Sequence, residues 1–130
     1  MGTIYEGICP HCNYHKELYL EGGLMSVNLE ASAMVLPENE QSELQQMREK
    51  DEIARFQVAN YLVECKKCRE IMGKTIVEVT DKKDRDHIFG EYCSFCGKRL
   101  KIYRENAGAQ VKCPKCREDM MVFEEEGLWD

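Results

Sequence analysis

Much that would assign a familiar role is missing from these 130 residues. No apolar run approaches the length of a membrane span. The opening residues Met1-Gly2-Thr3-Ile4 show no charged-then-apolar leader, and Glu6 stands where a myristoylation signal needs Ser or Thr. The expectation is a cytoplasmic, reducing setting, in which paired cysteines favour metal over disulfides. No nucleophile constellation, phosphate loop or matched acid and base stands out, so the chain is not expected to be an enzyme. Positive charge is not in excess either. The formal net charge is −6, which argues against a general nucleic-acid coat but leaves room for a local basic face.

What is present is cysteine, eight residues of it, all in C-x-x-C pairs with none left over. Cys93-Ser94-Phe95-Cys96-Gly97-Lys98 is answered sixteen residues later by Cys113-Pro114-Lys115-Cys116. A tight turn points both thiolates of a pair at one spot, and a hairpin of about fifteen to twenty residues brings a second turn opposite the first. Cys9-Pro10-His11-Cys12 and Cys65-Lys66-Lys67-Cys68 repeat the device upstream. Sequential pairing gives one zinc to Cys9, Cys12, Cys65 and Cys68, and a second to Cys93, Cys96, Cys113 and Cys116. The alternative joins 65/68 to 93/96 and 9/12 to 113/116. Four thiolates complete a tetrahedron and leave no open position, which fits a structural rather than a catalytic Zn2+. His11, His15 and His87 are then turn and strand residues rather than ligands. Redox exchange suits a lone pair beside a helix start within a strand–helix alternation, and that pattern is absent here.

A chain this short buries little apolar surface, so metal staples are expected. The fold class is small β-rich α+β: two zinc ribbons, the first with a helical insertion. Residues 1–80 form the first ribbon. Ile4 and Ile8 lie on an entering strand, Leu18 and Leu20 on one face of a return strand, and Gly22-Gly23 breaks it. Residues 24–29 are ambiguous between strand and irregular packing. Ser42-Glu43-Leu44-Gln45 has the form of a capping box, and Leu44, Met47, Ala54, Val58 and Tyr61 keep a helical spacing, so a helix is expected over about 39–58. Ile76 and Val77 lie on a strand and cannot share a face. Six consecutive charges from Asp81 to Asp86 mark a solvated loop. Residues 87–123 form the second ribbon, closed by a strand at 120–123. Residues 124–130 are an acidic, mobile tail.

Charge is strongly polarised along the chain. Residues 93–117 hold seven bases and one acid, while 1–64 hold eleven acids and four bases. The seven are Lys98, Arg99, Lys101, Arg104, Lys112, Lys115 and Arg117, with Phe95 and Tyr103 interleaved. Such a ribbon surface can grip phosphates and stack bases. It can equally be the counter-charge of a dianionic tetrathiolate. Protein–protein interaction as an adaptor module is the leading expectation for function, and nucleic-acid binding through residues 98–117 the competing one.

The four knuckles resemble the zinc-ribbon, rubredoxin-like superfamily. Cys9-Pro10-His11-Cys12, followed by Leu18-Tyr19-Leu20-Glu21-Gly22-Gly23-Leu24-Met25 and later by Cys65-Lys66-Lys67-Cys68, also resembles small uncharacterised bacterial zinc-ribbon proteins. The resemblance implies zinc and a β-rich fold, and carries no activity. Glycine often follows a knuckle in such proteins. Here only Gly97 matches, and Asn13, Arg69 and Arg117 take the other three positions.

Overall fold

The computed structural model describes residues 2–22 and 29–129. Most of the 24–29 segment lies outside the described residues. Seven strands form one antiparallel sheet: β1 (Gly2–Ile8), β2 (His15–Glu21), β3 (Ile53–Cys65), β4 (Glu70–Asp81), β5 (Asp86–Phe89), β6 (Lys101–Tyr103) and β7 (Val122–Trp129). Their order is β5-β4-β3-β2-β1-β7, with β6 alongside β3 at Leu62–Glu64. Two helices, α1 (Leu29–Ala33) and α2 (Glu38–Glu49), precede β3. Among the described residues no helix is long and apolar enough to cross a membrane.

The helix is shorter than its apolar spacing predicts. α2 begins after Pro37, without a side-chain cap, so Ser42 lies inside the helix and not at its start. It ends where Asp51 turns left-handed at a φ of 53°. From Ile53 the β-branched and aromatic residues win: Val58, Tyr61, Leu62 and Val63 are all buried along a strand of 13 residues. β3 and β4 pair through nearly their whole length, from Ile53 opposite Asp81 to Cys65 opposite Glu70. At one end of this hairpin Leu44 and Met47 of α2 pack on Val58, Val77 and Val79, with Leu36 and Phe89 closing the cluster. Buried Glu40 fastens the helix there, its Oε2 accepting the Gly90 N–H at 2.7 Å. Gly90 sits at a φ of 91°, and a Cβ on it would lie 2.5 Å from the Thr75 carbonyl oxygen. Only glycine fits that approach.

Two further sequence expectations are corrected. The described part of the expected tail, 124–129, is not mobile, since Val122–Trp129 runs along β1 and forms one end of the sheet. Trp129 anchors it, donating from Nε1 to the Leu20 carbonyl at 2.9 Å and meeting Tyr19 edge-on at 5.9 Å. The charged run 81–86 is solvated except at its first member. Asp81 is buried and organises the β4–β5 turn, accepting from the N–H groups of Lys83 and Arg85, from the Arg85 guanidinium and from His87 Nε2. Ile76 and Val77 do point to opposite faces, and both are fully buried, so the sheet is covered on both sides there.

Candidate metal centres

All four C-x-x-C pairs sit at the tips of tight antiparallel turns. The first joins β1 to β2 and the second β3 to β4. The third lies inside a minimal hairpin closed by Tyr92 opposite Arg99, and the fourth inside one closed by Lys112 opposite Met120. The turns share one local construction. The residue after the second cysteine donates its N–H to the carbonyl of the first: Asn13 to Cys9 at 3.0 Å, Arg69 to Cys65 at 2.9 Å, Gly97 to Cys93 at 2.9 Å and Arg117 to Cys113 at 3.0 Å. That residue is left-handed in all four, with φ of 64°, 57°, 76° and 58°. Asn13, Arg69 and Arg117 therefore adopt the conformation that glycine takes at Gly97.

The tips meet in a nested arrangement, and the sequential pairing is overturned. Cys9, Cys12, Cys113 and Cys116 form one group, and Cys65, Cys68, Cys93 and Cys96 the other; within each, the four sulfurs lie within 4.8 Å of one another. Each group takes one pair from 1–80 and one from 87–123. The reason lies in the sheet. β1 is flanked by β2 and β7, which brings the first and last tips together, while β6 lies against the end of β3 that carries Cys65.

The sulfur geometry fits a tetrahedral ion. A Zn–S bond near 2.3 Å implies sulfur–sulfur edges of about 3.8 Å. Two of the six edges in each group are 3.6 Å for Cys9–Cys116 and Cys12–Cys113, and 3.4 Å for Cys65–Cys96 and 3.9 Å for Cys68–Cys93, with every other pair within 4.8 Å. These four edges are far longer than a disulfide bond of about 2.05 Å. The donor set points the same way. As bare thiols, Cys93 and Cys113 titrate low, at about 6 and about 7. Burial opposes this, but backbone N–H groups of Cys96 and Phe95 stabilise the first thiolate, and those of Cys116 and Lys115 the second. Cys12 and Cys68 are pushed up to about 12. At Cys12 the Tyr14 N–H pulls downward but is outweighed by burial and the neighbouring thiols; at Cys68 the Cys65 thiol leads. A cation is what allows four adjacent sulfurs to ionise together.

Two residues join the centres. Arg69, beside Cys68, donates from Nε to the Pro114 carbonyl at 3.2 Å and from a terminal nitrogen to the Lys115 carbonyl, both within the fourth tip. Glu70 accepts the Tyr14 hydroxyl at 2.6 Å and pairs with Lys115 Nζ at 2.8 Å. Burial alone would raise the Glu70 carboxyl, but Lys115 and Tyr14 hold it below its ordinary range. The Tyr14 phenol is pushed up, by burial first and by Glu70 second. Sequence spacing contains no signal for this clamp.

The seven expected bases do not form one face. Lys98, Arg99 and Lys101 line an open cleft of about 550 Å³ with Leu100 and with Lys66 and Lys67, which the sequence reading left out of the basic set. Their signal was their place inside the second C-x-x-C, facing the third once the pairing is known. Arg104 is held by Glu78 at 2.6 Å, and Lys115 belongs to the Glu70 clamp. Lys112 and Arg117 lie exposed at the fourth tip. None of the three histidines belongs to either sulfur group. His11 is exposed in the first tip, His15 faces Glu6 at 3.7 Å and His87 serves Asp81. No protein-family model, curated protein or solved structure matches this chain.

Proposed function

We propose that the protein binds two structural zinc ions, one at Cys9, Cys12, Cys113 and Cys116 and one at Cys65, Cys68, Cys93 and Cys96, and acts as a binding module rather than an enzyme. The observation that carries this reading is the closure of each sulfur tetrahedron. Four thiolates at these spacings fill the coordination of a zinc ion and leave no position for substrate or water. Sulfur-only tetrahedral donors select zinc or iron among the common metals, and the zinc-ribbon resemblance favours zinc. The centres also stand where staples are needed. One is packed against Leu18, Leu20, Leu62, Ile71 and Val111, the other against Val63 and Leu100, so each ion would complete a small core.

The test is metal analysis of protein purified without chelator. Two zinc ions per chain, and eight thiols titratable once a thiol reagent has released them, are expected. Four disulfides with no metal, or a coloured iron-loaded protein, would overturn the assignment.

A further inference from the structure

The metal reading leaves the surface above the second centre without a role. The cleft there is built by two cysteine turns facing each other: Lys66 and Lys67 from the tip of β3–β4, and Lys98, Arg99, Leu100 and Lys101 from the next hairpin. Five of its six lining residues are cationic. Arg99 is already engaged, its guanidinium holding both carboxylate oxygens of Glu91 at 3.1–3.3 Å. Lys101 lies 4.9 Å above the Tyr103 ring. Lys66, Lys67 and Lys98 are exposed and have no ion pair among the described residues. On the same six-residue turn as Lys98 stands Phe95, 85% exposed, the most exposed large apolar side chain among the described residues.

We propose that this cleft binds single-stranded nucleic acid, with Lys66, Lys67, Lys98 and Lys101 contacting phosphates and Phe95 stacking on an unpaired base. The proposal rests on the zinc reading, since the second centre holds the two turns together. A tetrathiolate zinc carries a formal charge of −2, which accounts for cations near it but not for an aromatic ring turned into solvent on the same turn. Ammonium groups are point charges that can follow a row of phosphates, and the exposed ring beside them suits a stacked base rather than an acidic peptide. The one arginine here has its fork filled by Glu91. A single aromatic on a hairpin tip can stack on a base splayed out of a single strand but not on one inside a duplex.

The experiment titrates the zinc-loaded full chain with fluorescent oligo(dT), oligo(rU) and a duplex of about twelve nucleotides, and with poly-glutamate, at two salt concentrations. Four phosphate contacts predict about a 50-fold loss of single-strand affinity between 50 and 200 mM salt. The double variant Lys66→Gln/Lys67→Gln should weaken binding about tenfold at low salt and flatten the salt slope by about 1.4. Phe95→Ala should weaken it about tenfold with the slope unchanged. Lys82→Gln/Lys83→Gln, in the distant β4–β5 turn, should bind as the parent does. The dT and rU arms tell DNA from RNA. Absence of single-strand binding at low salt, equal affinity for duplex or poly-glutamate, or indifference to Phe95→Ala would overturn the assignment. Zinc measured on each sample separates the outcomes: two zinc ions with no binding removes the cleft proposal alone, and failure to load zinc removes the reading beneath it.

Discussion

At Arg69 the backbone is left-handed, at a φ of 57°, where a side chain costs about 1 kcal/mol. The same residue donates to the Pro114 and Lys115 carbonyls of the facing tip. Arg117 occupies the equivalent backbone position without such bonds among the described residues. The two should therefore answer differently to glycine. Arg117→Gly is expected to leave stability unchanged or raise it by up to about 1 kcal/mol, because relief of φ is set against a freer unfolded chain. Arg69→Gly should lower stability by about 1 kcal/mol, since the lost charge-assisted bonds exceed that relief even after allowing for partial exposure. Denaturant midpoints of the two zinc-loaded variants decide the matter, and equal responses would contradict the clamp. Asp81 permits a pH test. His87 first, then the Arg85 and Lys83 N–H groups and the Arg85 side chain, hold its carboxyl well below the usual range. Its folded pKa is depressed, so its stabilisation is complete above the unfolded value of about 3.9 and is lost as pH falls from there toward the folded value. Asp81→Asn should then be less stable than the parent at neutral pH, and the gap should close only below about pH 4. The Asp81 carboxyl carbon resonance should stay at its ionised position at about pH 3. Titration near the unfolded value would contradict this account of the turn.

At the scale of elements, charge is a poor guide to where chain order ends. Glu124, Glu125 and Glu126 lie exposed on β7, yet the strand stays paired with β1 because Phe123 packs on the first metal core and Trp129 reaches the Leu20 carbonyl. Gly2 allows this approach, since a Cβ there would meet Trp129 Nε1 at 2.2 Å. Deleting residues 124–130 is expected to lower the unfolding midpoint and expose the edge of β1 to exchange and self-association. An unchanged midpoint would return the segment to the status of a tail. Only the start of β7 was legible, in the strand expected at 120–123; the rest was not, because a terminal run of glutamates reads as solvated and its anchors are two aromatics six residues apart. The α2–β3 boundary was half legible. Leu44 and Met47 do lie on the buried face of a helix, but Val58 and Tyr61 fit the same spacing by coincidence, and their burial belongs to a strand. Leu18 and Leu20 were recognisable as one face of a strand from alternation alone, and both are fully buried.

For the whole molecule, the four cysteine pairs were legible as turns that gather sulfur donors, because that geometry is local. Their partners were not. Closing a longer loop adds only about 0.6 kcal/mol per doubling of length, so spacing cannot decide which tips meet, and the sheet order does. The nested arrangement makes the outer centre a clasp between the first and last hairpins, while the inner centre joins the β3–β4 tip to the hairpin that follows. Cys113→Ser should therefore release the outer metal and loosen β1, β2 and β7. Amide protection should persist in α2 and in the half of the β3–β4 hairpin against which it packs, where Leu44, Met47, Val58, Val77 and Val79 form a core free of cysteine. Loss of protection there would show that the helical end depends on the distant metal. The central claim is the pairing itself. Loading the protein with the NMR-active cadmium isotope and correlating each cadmium with cysteine β-protons tests it directly. One cadmium should correlate with Cys9, Cys12, Cys113 and Cys116, and the other with Cys65, Cys68, Cys93 and Cys96. A cadmium shared by Cys9, Cys12, Cys65 and Cys68 would contradict it.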